Sequence, residues 1–389
     1  MKIEVGVIGA GAMGSGIAQV AATAGHFVKV VDTNEAMLVT AKKNLESFLA
    51  KSVEKQKISS EAADAIAARI EYVRELKKCA SCRLIIEAIV ENLEIKQKIF
   101  SDLEAIVSGD CILASNTSSL SIASIAASCK DASRVIGIHF FNPAVLMPLV
   151  ELIPAISSSP NVLLDAKKLI DSWGKITVVA KDTPGFIVNR VARSYYGESI
   201  RIYEEGIADF VSIDWALKQF GGFKMGPFEL MDFIGNDINY KVTESVWEQF
   251  FYEPRFKPSL TQKRLYEAKL FGRKSGKGYY SYAEGAIANE PNKDEKLGKE
   301  IFERVLAMLI NEAADSLYLQ LATKEDIDLA MTKGVNYPKG LLKWADEIGV
   351  NKVYTTLVNL YNEYKEDRYR PCVLLKRMAQ SNATFYAKN

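Results

Sequence analysis

The fold is decided by residues 3–32, which read IEVGVIGAGAMGSGIAQVAATAGHFVKVVD. A short apolar run leads into a GxGxxG turn, and a helical segment and a second apolar run ending in Asp32 follow. This order of strand, glycine turn, helix, strand and acid is typical of a dinucleotide-binding βαβ unit. We therefore predict an N-terminal Rossmann-type α/β domain. The turn residues predicted to hold the cofactor are Gly9, Ala10, Gly11, Ala12, Met13 and Gly14.

The spacing of this turn also indicates which dinucleotide binds. Gly9 permits the tight turn, Gly11 lets the backbone approach a pyrophosphate, and Gly14 lets the helix pack close to the strand. The amino end of the helix attracts the phosphates through its N–H groups and its dipole. Asp32 is placed to accept hydrogen bonds from the ribose hydroxyls and would repel a 2′-phosphate, so NAD is favoured over NADP. The alternative is a glycine turn without a ligand.

Composition excludes several other classes of protein. The 389 residues are 48% hydrophobic and carry a formal net charge of +1, which fits a soluble globular chain of two or three domains. Neither nucleic acid nor an anionic membrane is indicated by this charge, and no apolar run approaches a membrane span. The five scattered cysteines indicate reduced thiols and a cytoplasmic location. Cys79 and Cys82 form a lone CxxC, from which we predict no metal site.

Residues 135–151, VIGIHFFNPAVLMPLVE, are where we expect the chemistry. Two apolar runs, Val135–Phe141 and Leu146–Ile153, flank a loop, with His139 in the first run and Glu151 in the second. A carboxylate in an apolar strand is costly unless it is paired. If the runs lie side by side, the pair forms a general base near neutral pH, because the carboxylate fixes the tautomer and stabilises the imidazolium. The alternative is a core histidine beside an edge-strand glutamate.

Two further segments have both a functional and a structural interpretation. The polar loop at residues 115–119 follows a predicted strand and would face the ligand crevice, so Ser118 is placed to contact a substrate oxygen. Its structural alternative is a cap for the helix that starts near Ser121. The helical stretch from Glu35 to Ala68 is rich in lysine on one side, which indicates either a solvated face or a surface for an anionic substrate tail.

Six motifs occur in order along the first 283 residues, namely GAGAMGSGIA at 9–18, IEAIVEN at 86–92, ASNTSSL at 114–120, HFFNP at 139–143, DTPGFIVNR at 182–190 and GRKSGKGYY at 272–280. Together, across roughly residues 1–283, they resemble the L-3-hydroxyacyl-CoA dehydrogenase family. The resemblance implies reversible hydride transfer between C3 of a (S)-3-hydroxyacyl-CoA, such as 3-hydroxybutyryl-CoA, and NAD, a reaction of the kind used in β-oxidation. Similar motifs occur in the L-gulonate dehydrogenase and lambda-crystallin branch, and a non-catalytic NAD-binding or structural protein is the alternative from another class.

The same resemblance implies a role for each matching residue. His139 is the catalytic base, Glu151 is its partner, and Ser118 and Asn189 hydrogen-bond the substrate oxygen. The residues that match NAD contacts are Asp32, Glu91, Lys96, Ser118, Asn142 and Lys274. Lys55 matches a lysine near the CoA phosphates, and the neighbouring serine of the family has its nearest counterpart in Ser52 or Ser47.

The C-terminal part of the sequence is helical and repeats itself. Asp214, Gly226, Asp232 and Gly235 recur as Asp328, Gly340, Asp346 and Gly349, each 114 residues later (328 − 214). We predict a Rossmann domain at 1–185, a helical domain at 186–283 that begins with a long helix Phe186–Tyr203, a polar linker at 284–296 and a second helical copy at 297–389.

The second copy is predicted to be structural. It has Glu303 where the first copy has Asn189, and no equivalent of GRKSGKGYY. Family members with one helical domain dimerise through that domain. We therefore expect the copies to pack as an intrachain pseudo-dimer, which favours a monomer and leaves another surface for homodimerisation.

Overall fold

The structure is a computed structural model that describes residues 2–286 and 290–387. Residues 287–289 of the predicted linker and residues 388–389 of the predicted second copy lie outside the described residues. The chain divides into two compact units, Met1–Thr183 (unit 1) and Pro184–Asn389 (unit 2). Among the helices of the described residues, none combines the length and the apolar character that a membrane span requires.

Unit 1 contains one eight-stranded sheet, which confirms the predicted Rossmann-type fold. Its strands are β1 (Glu4–Ile8), β2 (Phe27–Val31), β3 (Ile70–Val73), β4 (Leu84–Glu87), β5 (Ile112–Ser115), β6 (Val135–Phe140), β7 (Leu149–Pro154) and β8 (Ile176–Val179). They lie in the order β3-β2-β1-β4-β5-β6-β7-β8, and every neighbouring pair is parallel except β6 with β7. The strand order reverses at β1 and β4, which is where an open parallel sheet binds its ligand.

The helices of unit 1 pack on this sheet. They are α1 (Ala12–Thr23), α2 (Glu35–Glu54), α3 (Ser60–Ala68), α4 (Leu93–Glu104), α5 (Ile122–Ala126) and α6 (Pro160–Ser172). Strands β4, β5 and β6 are buried along their whole length, because a parallel sheet is covered on both faces. Side chains of Asn34, Asn92 and Ser121 cap α2, α4 and α5. The helices thus begin at the carboxyl edge of the sheet, where the predicted site residues lie.

The described part of unit 2 is built from helices, apart from loops and isolated β-bridges at Gly272–Lys277 and Lys277–Ser281. Its helices are α7 (Val188–Val191), α8 (Arg193–Glu204), α9 (Phe210–Gly221), α10 (Pro227–Ile234), α11 (Asn236–Gln249), α12 (Leu260–Glu267), α13 (Glu295–Tyr318), α14 (Lys324–Gly334), α15 (Leu341–Ile348), α16 (Val350–Tyr364) and α17 (Val373–Ser381). The predicted helix Phe186–Tyr203 is interrupted and begins late. Phe186 has φ of +47°, a left-handed conformation that delays the first helical turn, and α7 and α8 are separated at Ala192.

The predicted repeat is visible as two sets of equivalent contacts. The Asp214 carboxylate accepts backbone N–H bonds from Phe228 and Glu229 at the start of α10. The Asp328 carboxylate does the same for Leu342 and Lys343 at the start of α15. Each aspartate therefore caps the next helix of its own copy, which explains why these acids recur at a fixed spacing.

The second copy keeps more of its C-terminal motif than we predicted. In the first copy, the Asp232 carboxylate accepts the backbone N–H groups of Tyr279 and Tyr280. In the second copy, Asp346 accepts those of Phe385 and Tyr386. The prediction that the second copy lacks any equivalent was wrong for this final pair, because a shorter preceding segment changes the spacing from 114 to 106 residues (386 − 280). The basic residues of the motif have no counterpart there.

Reciprocal ion pairs join the two copies inside unit 2. Arg190 of the first copy donates through Nε to Oε1 of Glu312 in the second, at 2.5 Å. Arg304 of the second copy donates through Nε to Oε1 of Glu198 in the first, at 2.6 Å. All four residues are buried. Arg304 and Glu312 are the 114-residue equivalents of Arg190 and Glu198, so the contact has the self-complementary form of a two-fold interface.

Candidate functional site

The glycine turn at residues 9–14 forms a cradle at the carboxyl end of β1. A Cβ atom on Gly14 would lie 1.9 Å from the carbonyl oxygen of Gly9, so no other residue fits this close packing of α1 against the strand. A Cβ on Gly11 would meet nothing within 4 Å, and its backbone faces open space. Helix α1 begins at Ala12 without a side-chain cap. The turn therefore offers backbone N–H groups to an anion, as the pyrophosphate of a dinucleotide requires.

Asp32 lies directly after β2 and holds the same turn. Its Oδ2 accepts the backbone N–H of Ala10 at 2.9 Å, and its Oδ1 accepts that of Asn34 at 2.9 Å. The carboxylate is thus fixed beside the cradle by two hydrogen bonds. Ionised carboxylate oxygens have further acceptor capacity, which is what recognition of ribose hydroxyls needs.

A buried ion pair follows β4, the strand beside β1 in the sheet. The Lys96 side chain is 1% exposed and its Nζ lies 2.6 Å from Oε1 of Glu87, which is fully buried, and 3.3 Å from Oε2 of Glu91. Sequence reasoning named Glu91 and Lys96 but missed Glu87. The available signal was an acid at the end of the apolar run LIIE, the same signal that drew attention to Glu151.

Glu91 organises the polar loop after β5. Its Oε1 accepts hydrogen bonds from the Thr117 hydroxyl and from the backbone N–H of Ser118. Burial opposes ionisation of this carboxyl, but the Lys96 charge and the hydroxyl bonds hold the pKa of Glu91 below its usual value. The cap of helix α5 is Ser121, so the structural alternative for Ser118 does not apply.

His139 and Glu151 face each other across the only antiparallel pair of the described sheet. Their Cα atoms are partners in the register of β6 and β7. His139 Nδ1 lies 2.7 Å from Glu151 Oε2, and the side chains are 7% and 0% exposed. The predicted contact is therefore confirmed. A buried carboxylate at this distance orients the imidazole and fixes its tautomer.

A cavity of about 470 Å³ opens beside the glycine turn within unit 1. Gly11 and Ala12 line one side, the Met37–Phe48 part of α2 lines another, and Asn142 lies on the loop that follows β6. Asn142, predicted from its motif, thus shares a cavity with the cradle. In the described part of the chain, no three His, Cys, Asp or Glu side chains are grouped to hold a metal ion.

The residues assigned to CoA lie at the end of α2. Lys55 is exposed there. Ser52 is buried, and its hydroxyl donates to the carbonyl oxygen of Phe48 at 2.8 Å. Ser47, the other serine near this position, is exposed. Exposure therefore favours Ser47 over Ser52 as a partner for a phosphate.

Two predicted site residues lie in unit 2. Asn189 is in the first turn of α7, where its carbonyl oxygen accepts a hydrogen bond from Arg193 Nε at 2.9 Å. Lys274 lies in a short 3-10 turn, Arg273–Ser275, and its Nζ donates to Asp237 Oδ2 at 2.7 Å.

Comparison with known proteins identifies related chains along the whole sequence. The family model for the 3-hydroxyacyl-CoA dehydrogenase NAD binding domain matches residues 4–183. The model for the C-terminal domain of the same dehydrogenase matches twice, at residues 185–282 and 301–387.

Individual relatives agree with the family models. The 3-hydroxyadipyl-CoA dehydrogenase of Escherichia coli is 36% identical, over 96% of this chain and 97% of that protein. The mitochondrial hydroxyacyl-coenzyme A dehydrogenase of Sus scrofa is 40% identical over 72% of this chain and 91% of that protein. A crystal structure of 3-hydroxybutyryl-CoA dehydrogenase from Escherichia coli is similar with a TM-score of 0.92 at 34% identity, over 98% of this chain and 99% of that chain.

Proposed function

The chain belongs to the 3-hydroxyacyl-CoA dehydrogenase family, and on that premise we propose that His139 and Glu151 are the base of its reaction. The chain is an NAD-dependent oxidoreductase that interconverts 3-hydroxyacyl-CoA and 3-oxoacyl-CoA. The observation that carries the proposed base is the 2.7 Å contact of His139 Nδ1 with a fully buried carboxylate.

The base acts on the proton of the C3 hydroxyl. With Nδ1 bonded to Glu151, the proton goes to Nε2, and the buried carboxylate offsets the charge of the imidazolium. Hydrogen bonds from Ser118 and Asn189 stabilise the substrate oxygen where negative charge develops. NAD held by the cradle at residues 9–14 and by Asp32 would supply the hydride acceptor for this oxidation.

We propose that the cradle at 9–14 and Asp32 hold the pyrophosphate and the adenosine ribose. Gly11 leaves room for the pyrophosphate, and the fixed carboxylate of Asp32 fits a ribose. Glu91, Ser118, Asn142 and Lys274 complete the proposed cofactor contacts. Lys96, which is 1% exposed, acts by positioning Glu87 and Glu91. For CoA, Lys55 and the exposed Ser47 are the proposed phosphate contacts, with Ser52 the less accessible choice.

We further propose a domain organisation in which residues 186–283 serve the reaction and residues 297–389 complete the fold as an intrachain pseudo-dimer. The reciprocal Arg190–Glu312 and Arg304–Glu198 pairs support this. The expected solution state is a monomer, and sedimentation of the full chain measures it. All five cysteines are unpaired in the structure, in keeping with the proposed cytoplasmic location.

The test is NADH formation with 3-hydroxybutyryl-CoA, compared with L-gulonate and with the His139→Gln variant. We expect turnover of the acyl-CoA alone, and a loss of about 10²–10⁴-fold in kcat for the variant with nearly unchanged NAD affinity. Turnover of L-gulonate in preference to the acyl-CoA would contradict the assignment of an acyl-CoA substrate. A variant that loses NAD affinity and activity together would overturn the role of His139.

A further inference from the structure

Arg193 is a buried cation without a carboxylate partner. It is 6% exposed. Its Nε donates to the carbonyl oxygen of Asn189 at 2.9 Å, and its Nη1 donates to Thr243 Oγ1 at 3.1 Å and to the carbonyl oxygen of Asn239 at 3.4 Å. All of these acceptors are neutral, and Arg193 forms no ion pair among the described residues. Burial of an unpaired charge is costly, and here it lowers the pKa of Arg193.

Arg190, three residues earlier, allows a comparison with a second buried arginine in the same part of the chain. Its side chain is 4% exposed, and it is paired with both Glu312 and Asp315. Of the two buried arginines in this segment, Arg190 is therefore paired with two carboxylates of α13, and Arg193 is paired with no carboxylate of the described residues. Besides its neutral acceptors, the Arg193 guanidinium lies over the ring of Tyr196, 4.9 Å from its centroid. These partners leave the charge without an anion, so a ligand carboxylate could pair with it.

The neighbours of Arg193 are also hydrogen-bond donors without acceptors. The hydroxyl of Tyr337 and the Nδ2 atom of Asn239 are buried and have no hydrogen-bond partner in the structure. Burial raises the pKa of Tyr337 far above its usual value while the nearby Arg193 charge opposes the rise, so the hydroxyl keeps its proton. Buried polar atoms are normally satisfied. Arg193, Asn239 and Tyr337, which we call the Arg193 cluster, together lack an acceptor.

The chemistry of this cluster selects a carboxylate. A planar guanidinium binds a carboxylate through parallel N–H bonds, and a carboxylate also accepts from amide and phenol donors. Arg193 follows Asn189 by four residues, about 6 Å of helix rise, and is bonded to its carbonyl oxygen. Because Asn189 is the proposed contact of the substrate oxygen on C3, the cluster lies at a short acyl chain's distance from that contact.

We propose that the Arg193 cluster binds a carboxylate at the distal end of the acyl chain, so that the enzyme prefers ω-carboxylated 3-hydroxyacyl-CoA substrates. This inference rests on the proposed function and names its substrate class. Of the two Escherichia coli names matched over the full length, 3-hydroxyadipyl-CoA dehydrogenase denotes an acyl group with such a carboxylate and 3-hydroxybutyryl-CoA dehydrogenase denotes one without it. The cluster favours the former. Tyr337 belongs to the second helical copy, so that copy supplies part of the site.

The test compares 3-hydroxyadipyl-CoA with 3-hydroxyhexanoyl-CoA, which has the same chain length and a methyl group in place of the distal carboxylate. We expect the unmodified enzyme to show at least a roughly 10-fold higher kcat/KM for the carboxylated substrate. Arg193→Gln should lower kcat/KM for that substrate about 100-fold and leave the hexanoyl substrate within about threefold. Equal kcat/KM values for both substrates in the unmodified enzyme would overturn the inference.

Tyr337→Phe keeps the proposal testable if Arg193→Gln does not fold. The hydroxyl makes no bond in the structure, so its removal should not lower the unfolding midpoint. We expect a roughly 10-fold lower kcat/KM for the carboxylated substrate alone. An equal loss for both substrates in either variant would mean a structural role and would overturn the inference. Failure of the unmodified enzyme with every acyl-CoA would instead overturn the proposed function.

Discussion

The two helical copies of unit 2 share their internal supports and differ in their outer faces. Asp214 and Asp328 cap equivalent helices, and Asp232 and Asp346 hold equivalent C-terminal pairs. The segment EPRFKPSL at 253–260 likewise matches EDRYRPCV at 366–373, with Ser259 and Cys372 capping α12 and α17. These residues stabilise the fold of each copy, and both copies have equivalents of them.

The exposed faces of the two copies differ in polarity and charge. Phe233 and Ile238 of the first copy are 58% and 48% exposed, and their equivalents in the second copy are Glu347 and Lys352. Asn189 is replaced by Glu303, which forms a 2.6 Å ion pair with Lys352. Apolar positions and the proposed substrate contact of the first copy thus correspond to charged, solvated residues in the second. The internal supports are the same in both copies, but only the first has Asn189, the proposed contact of the substrate oxygen, while the second contributes Tyr337 to the proposed Arg193 cluster.

The largest expected effect comes from breaking the reciprocal ion pairs. Glu312→Gln removes a charge that serves two arginines, Arg190 and Arg255. Both then share Asp315. Glu198→Gln removes a charge that serves Arg304, which keeps Glu205 to itself. Loss of one member of a buried pair costs about 3–5 kcal/mol. We therefore expect Glu312→Gln to lower the free energy of unfolding more than Glu198→Gln, as measured by urea denaturation.

Glu303→Gln is the control for these variants. Its exposed pair with Lys352 should contribute less than about 1 kcal/mol. If both buried variants cost no more than this control, the ion pairs do not stabilise the contact between the copies.

An effect of intermediate size on kcat is expected from substitution of Asn189, and a much smaller one from substitution of its equivalent Glu303. Asn189→Ala removes a proposed hydrogen bond to the substrate oxygen and should lower kcat about 10²-fold. Glu303→Ala should leave kcat within about twofold, because the Glu303 side chain is exposed, pairs with Lys352 and is no proposed contact of the substrate. Steady-state assays of both variants with the same acyl-CoA measure this contrast. Equal losses at both positions would mean that the second copy shares in catalysis.

The smallest effect concerns the two capping aspartates. Burial raises the pKa of Asp214 to about 7, so between about pH 4 and 7 the folded protein holds a proton that the unfolded chain has released. The free energy of unfolding therefore falls as the pH rises through this window. Asn cannot ionise, so the deficit of Asp214→Asn, about 1 kcal/mol at pH 5, should disappear and then reverse in sign toward pH 8.

Asp328→Asn is the equivalent variant in the second copy. Burial raises the pKa of Asp328 as well, but this residue is 7% exposed where Asp214 is 1% exposed. We therefore expect the stability deficit of Asp328→Asn to change less with pH than that of Asp214→Asn. Urea denaturation of both variants at pH 5 to 8 provides the measurement, and a deficit that widens with pH at either position would contradict the assignment.

Local signals in the sequence predicted the Rossmann unit and the His139–Glu151 contact. The GxGxxG turn constrains backbone sterics within a few residues, and an acid in an apolar run demands a partner nearby. The same reasoning would have identified Glu87, since it also ends an apolar run and is paired with Lys96. Its partner could be recognised only when the packing of α4 was known.

Other features depend on packing that spacing does not encode. The equivalence of Tyr280 and Tyr386 is hidden because a shorter segment shifts the register of the repeat. Arg193 looks like any helical arginine in the sequence, and its lack of a carboxylate is visible only in three dimensions. Ser52 appeared suitable for a phosphate, but its burial depends on which face of α2 packs inward.

The covalent union of the two copies changes what a single point mutation does. In a homodimer, one codon change alters both sides of the two-fold axis, so a residue near the axis meets its own replacement. Here Phe223 meets its 114-residue equivalent Tyr337, with ring centroids 5.0 Å apart. One phenol therefore faces one phenyl. Because the two positions are encoded separately in one chain, a hydroxyl can be present on one side alone, without a second buried hydroxyl opposite it.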